Sequence, residues 1–113
     1  MDYKLIENSR IPSLLSFFIY ISAITIGKYI FARGKIGEKT LRHELVHVAQ
    51  WKETLYIGFL FYYIKDWFIG LIKYKNLYEA YRSIRMESEA RLAEDDIHYL
   101  DNRKSFHWKN IKE

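Results

Sequence analysis

Two long apolar runs constrain this chain more than any other feature of its sequence. The first, Ile11 to Gly27, carries no charge over seventeen residues; the second, Leu55 to Ile72, is interrupted by Lys65 and Asp66. A helix that crosses a membrane needs about twenty predominantly apolar residues. The first run sits at the lower edge of that length and contains Pro12, Ser13, Ser16, Ser22 and Thr25. The second has two charges near its middle. Both read as core or surface-apolar segments of a soluble, cytoplasmic protein, with membrane contact as the secondary reading. Asp2 and Glu7 spoil the basic start that a cleaved secretory signal would show.

At 113 residues the chain holds one domain, 1–113, without room for a second core. Half of the residues are hydrophobic, with 10 Tyr, 7 Phe and 3 Trp, so a small fold has ample area to bury. The absence of cysteine excludes a disulfide framework, a thiolate metal site and cysteine catalysis. The net charge of +4 is spread along the chain among 14 acids, without a basic stripe, which argues against a nucleic-acid partner.

Local patterns divide the chain. Leu14 to Ile21 fits either a helix or a strand. Ala23 to Arg33 is β-branched and aromatic with one glycine, and reads as a bulged strand or a tight hairpin about Gly27-Lys28. Gly34 to Gly37 is a loop. Leu41, Leu45, Val48 and Ala49 recur at helical spacing, so a helix is expected from a cap at or just before Thr40 to about Glu53. Residues 54–74 are expected to be helical, with Gly58 and Gly70 as weak points. After a polar break at Lys73 to Asn76, a third helix is expected from Leu77 to about Asp95. Ala80, Ile84, Glu87, Ala90, Arg91 and Glu94 fall along one side of it.

The first of these helices contains His43-Glu44-x-x-His47. Residues four apart on a helix lie about 5–6 Å apart at Cβ, so two imidazoles can converge on one ion at about 2.0–2.1 Å. Glu44 is then placed to hold water as a general base without being a ligand. A catalytic zinc needs a third protein ligand. No second histidine pattern follows His47, but Glu87 and Glu89 lie on the expected third helix. Ala90, three residues beyond Glu87 on the same face, would let two helices approach. Glu89 points about 200° away, toward solvent. Glu87 is therefore the expected third ligand.

His43-Glu-Leu-Val-His-x-x-Gln50, followed by a helix bearing Glu87-x-Glu-Ala90, resembles the gluzincin metallopeptidases, and in its economy the minigluzincins, small soluble archaeal peptidases. The segment Ile24-Thr-Ile-Gly-x-x-Ile-Phe31 resembles the strand that lies beside their active-site helix. The resemblance covers about residues 17–95. It implies an α+β fold, a small sheet packed on the active-site helix and on a second, ligand-bearing helix. It implies a zinc-dependent endopeptidase with His43, His47 and Glu87 as ligands, Glu44 as base, and substrate bound as an extended strand. It also implies latency, with residues 96–113 as a zymogen segment. Asp95, Asp96, His98, Asp101 and His107 are the groups able to block the metal. Tyr78, Tyr81 and His98 are candidates to steady the oxyanion. One departure stands out: related families often carry Asp where this chain has Arg91, which leaves the support of the ligand histidines unassigned.

Two other readings stay open on the sequence. The chain could be a non-catalytic zinc-binding interaction protein, or a small membrane-associated protein in which residues 11–31 insert. A homodimer through an aromatic face is left open.

Overall fold

The computed structural model describes residues 2–14 and 22–111. Chain order is strand β1 (Lys4–Ile6), helix α1 (Ile11–Leu14), strands β2 (Ala23–Ile26) and β3 (Tyr29–Ala32), then helices α2 (Glu38–Glu53), α3 (Ile57–Tyr74), α4 (Leu77–Ser83), α5 (Arg85–Glu94) and α6 (Tyr99–Asn102). A 3-10 turn, His107–Asn110, is the last element among the described residues. The fold is α+β. The alternative of a helix or a strand over Leu14 to Ile21 falls almost wholly outside the described residues.

β2 and β3 form the tight hairpin, turning at Gly27, whose φ of +64° is open to glycine at little cost. β1 adds in parallel to the far side of β3, with Leu5 opposite Ile30. Among the described residues the order β1-β3-β2 leaves β3 central, with Ile30 and Ala32 buried, and β2 at an edge.

Of the two caps the sequence offers the helix of the histidine motif, the one before Thr40 is found: Gly37 is its N-cap and Thr40 lies inside it. It ends at Thr54, after which Leu55 and Tyr56 take positive φ and turn the chain into α3, so that α2 and α3 are bent by 116°. Gly58 and Gly70 do not break α3. Gly70 is needed because α4 crosses there: a Cβ on it would stand 2.9 Å from Ala80 Cα and 2.5 Å from Ser83 Oγ.

The expected third helix is two helices. The chain breaks at Ile84, which is fully buried with extended backbone (φ −60°, ψ 123°). The buried Asp66 of α3 explains the break. Its carboxylate accepts the backbone N–H of Arg85 at 3.2 Å and the Arg85 guanidinium at 2.8 and 3.1 Å. A carboxylate from another helix thus caps and charges the start of α5.

One core cluster joins Trp51, Phe59, Ile84, Met86 and Trp108; a second joins Val46, Ala90 and Ala93. In the second, Ala90 and Ala93 are fully buried, so α5 packs close against α2. Among the described residues no single helix is long and apolar enough to cross a membrane. The bent pair α2 and α3 passes by length and composition only.

Candidate metal centre

α2 sets His43 and His47 one turn apart, their ring centroids separated by 5.0 Å. The first turn of α5 brings Glu87 between them. His43 Nε2 lies 3.0 Å from Glu87 Oε1, and His47 Nε2 3.1 Å from Glu87 Oε2. One ligand atom from each of the three lies within 4.8 Å of the others, so the group could hold a metal ion.

The far side of each imidazole is fixed. His43 Nδ1 is 2.7 Å from Glu94 Oε2, and His47 Nδ1 is 2.7 Å from Gln50 Oε1. Gln50 has no choice of orientation, because its amide nitrogen donates to Met86 O at 3.0 Å and to Glu89 Oε1 at 2.9 Å. Its oxygen must therefore accept from His47 Nδ1–H, and a neutral His47 presents a lone pair at Nε2. That Nε2 is buried and has no hydrogen-bond partner, although Glu87 Oε2 lies 3.1 Å away. A buried polar atom without a partner is costly, and here it faces two further metal-ligating groups. The residues fit a metal ion.

Charge is balanced tightly. Burial alone would raise Glu87, but His47 and His43 hold it well below the usual carboxylate range. Burial would lower His47, yet Glu87 raises it to about 9. His43 is raised likewise: burial would lower it, but the hydrogen bond to Glu87 and the charges of Glu87 and Glu44 together outweigh that. Glu44 is pushed up by burial. Its carboxylate is held by Thr25 of β2, whose Oγ donates to Oε1 at 2.7 Å. Two tyrosines complete the site: Tyr63 Oη donates to Glu87 Oε2 at 2.7 Å and Tyr81 Oη to Oε1 at 3.1 Å. Burial and the neighbouring Glu87 raise both phenols above their ordinary value.

The group opens on a cavity of about 360 Å³ between β2 and α3. Ile24, Ile26, Phe59 and Leu60 make its apolar wall, and Glu44, His47 and Glu87 its chemical one.

The other expected site residues lie elsewhere. His98 and Asp101 are exposed and face each other at 3.6 Å. His107 is half-buried, its ring 6.4 Å from that of Tyr99. Tyr78 is exposed and accepts from Arg82. None of Asp95, Asp96, His98, Asp101 and His107 bonds to His43, Glu44, His47 or Glu87; Asp95 pairs with Lys39 on the surface.

Glu89 does not point to solvent. It is fully buried, because the C-terminal segment folds over α5 and brings in Arg103 at 2.7 Å. The helix angle placed Glu89 away from Glu87, but the surface it faces is covered by chain from further on. Arg103 also pairs with Glu53 at 2.8 and 2.9 Å.

Four functional neighbours escaped the sequence reading: Thr25, Tyr63, Glu94 and Arg103. Glu94 carried a signal, standing seven residues after Glu87 on the same helical face. It supplies the histidine support that Arg91 cannot; Arg91 instead donates to Arg82 O and Ser88 Oγ. Thr25 and Arg103 carried none, since only tertiary folding brings them to the site.

Fold and site together define a small α+β domain with a candidate two-histidine, one-carboxylate metal centre. No protein-family model matches the chain, and no curated protein or solved structure matches it.

Proposed function

We propose that the chain is a zinc-dependent peptidase. The observation that carries this reading is the buried, unpartnered His47 Nε2 facing His43 and Glu87, with a second buried carboxylate, Glu44, beside them. Two imidazoles and a carboxylate without sulfur form a ligand set typical of catalytic zinc, which keeps a position open. When bound, zinc supplies a Lewis acid that polarises the scissile carbonyl and makes water acidic. Glu44 takes the proton of the attacking water and passes it to the leaving nitrogen as the C–N bond breaks. Burial raises its proton affinity toward that role, and Thr25 aims it. Tyr81 lies on the cavity wall; its hydroxyl proton, given to Glu87 in the metal-free chain, turns to the carbonyl oxygen as that oxygen gains charge.

The substrate is an extended peptide laid along β2, the edge strand, whose residues Ala23 to Ile26 all line the cavity. The Thr25 carbonyl is already taken by Trp51 Nε1–H at 3.2 Å, so backbone pairing uses the Ala23 end.

Elemental analysis after dialysis against a weak chelator tests the centre. The parent is expected to keep one zinc per chain and Glu87→Ala to lose most of it; equal zinc in both would remove Glu87 from the ligand set. A pH dependence follows too. In the metal-free chain His47 is raised to about 9, and zinc takes only the neutral ring. Uptake at neutral pH must expel that proton. Apparent zinc affinity should fall as pH is lowered from about 9, by about tenfold per unit for each proton expelled. Chelator competition at several pH values reads this directly, and a flat profile would contradict it.

A further inference from the structure

α3 carries a continuous apolar face that the described residues leave uncovered. Ile57 (83% exposed), Phe61 (64%), Ile64 (55%), Phe68 (61%) and Ile72 (67%) lie on it. At 100° per residue these five fall within about 60° of one direction, forming a stripe about 23 Å long. Monomeric proteins seldom expose an apolar stripe of this length without a partner for it.

The charges on α3 say what that partner is. Its only acid, Asp66, is buried and neutralised by Arg85. Its exposed charges are Lys65, on the flank of the stripe, and Lys73, about 140° round from the stripe's centre; Lys75 follows at the C-cap. Exposed tyrosines, Tyr56 and Tyr74, stand at the two ends, and such rings suit the boundary between lipid and water. We infer that this face of α3 rests on an anionic lipid bilayer, with the apolar stripe in the headgroup boundary and Lys65 and Lys75 against the lipid phosphates. A second copy of the chain fits the face less well. Lys65 lies at the midpoint of Ile57–Tyr74, so a two-fold antiparallel pairing of α3 helices would set Lys65 against its own mate. Leu60, exposed beside the stripe, also lines the cavity next to His47. Docked this way, the cavity mouth opens at the bilayer surface.

Co-sedimentation of the full chain tests the assignment, with vesicles of phosphatidylcholine alone and of phosphatidylcholine mixed with phosphatidylglycerol. The parent is expected to pellet with the mixed vesicles and to be released by salt. Phe61→Ser with Phe68→Ser should weaken that binding about tenfold or more. Lys65→Glu should weaken binding to the mixed vesicles and leave any binding to the neutral ones unchanged. Both variants change exposed side chains only, and unchanged circular dichroism confirms their fold. A parent that stays in the supernatant with both vesicle types overturns the inference. So does equal, salt-insensitive capture by both. A dimer in sedimentation analysis that the double variant abolishes, with no vesicle binding, assigns the face to a second copy instead.

Discussion

Glu44→Gln is expected to keep its zinc and to hydrolyse peptides about 10²- to 10⁴-fold more slowly than the parent. The substitution is nearly isosteric at a site only 6% exposed. A glutamine Oε1 can still accept the Thr25 hydroxyl, so the link between β2 and α2 survives. His43, His47 and Glu87 keep their supports, Glu94, Gln50 and the two tyrosines. What disappears is the ability to take a proton from water and deliver it to the leaving nitrogen. Glu44→Asp is the informative companion. It retains a carboxylate but withdraws it by one methylene from Thr25, and part of the rate should return. Zinc content and cleavage of an unfolded protein, followed by mass spectrometry, give both readouts on the same samples. A glutamine variant that cleaves at the parental rate would show that Glu44 is not the base.

The parts of this molecule that local chemistry dictates were legible in its sequence. The β2–β3 hairpin announces itself by β-branched residues on either side of Gly27. α2 announces itself by Leu41, Leu45 and Val48 at helical spacing, and with it the pairing of His43 and His47 on one face. What tertiary contacts impose was not legible. Leu77 to Glu94 has the propensity of one helix, and it breaks at Ile84 only because Asp66, eighteen residues upstream, captures the Arg85 N–H. Glu89 has the sequence context of a solvated glutamate, and is buried only because Arg103 returns to meet it. Thr25 is one of several polar residues in an apolar run until the hairpin folds it onto Glu44. The apolar run Leu55 to Ile72 was legible as helix but not as to what it meets. Phe59 and Gly70 face the protein, whereas Phe61 and Phe68 do not.

Removing the C-terminal segment should disable the site. If residues beyond Asp95 served only to block the metal, a chain ending there would be folded and faster. The contacts argue the reverse. Trp108 is fully buried, packs in the cluster of Trp51, Phe59, Ile84 and Met86, and donates its indole N–H to Glu53 at 2.9 Å. Losing a buried tryptophan costs about 3–5 kcal/mol, a large part of the roughly 5–15 kcal/mol that stabilises a domain. Arg103 adds a second loss. It neutralises Glu53 and the buried Glu89, and a buried pair broken on one side costs about 3–5 kcal/mol more. The damage reaches the metal ligands by a traceable path: Arg103 holds Glu89, Glu89 accepts from Gln50, and Gln50 fixes His47. Arg103→Ala isolates that path without deleting Trp108. It is expected to weaken zinc binding about 10- to 100-fold and to lower the melting temperature, and Arg103→Lys should recover part of the stability but little of the bidentate grip. Chelator competition and thermal unfolding, run on Arg103→Ala and on the chain ending at Asp95, separate the two accounts. A truncated chain that stays folded, holds zinc and cleaves faster than the parent would make the segment a plug after all. A truncated chain that unfolds and releases its zinc makes it part of the scaffold on which His47 is held.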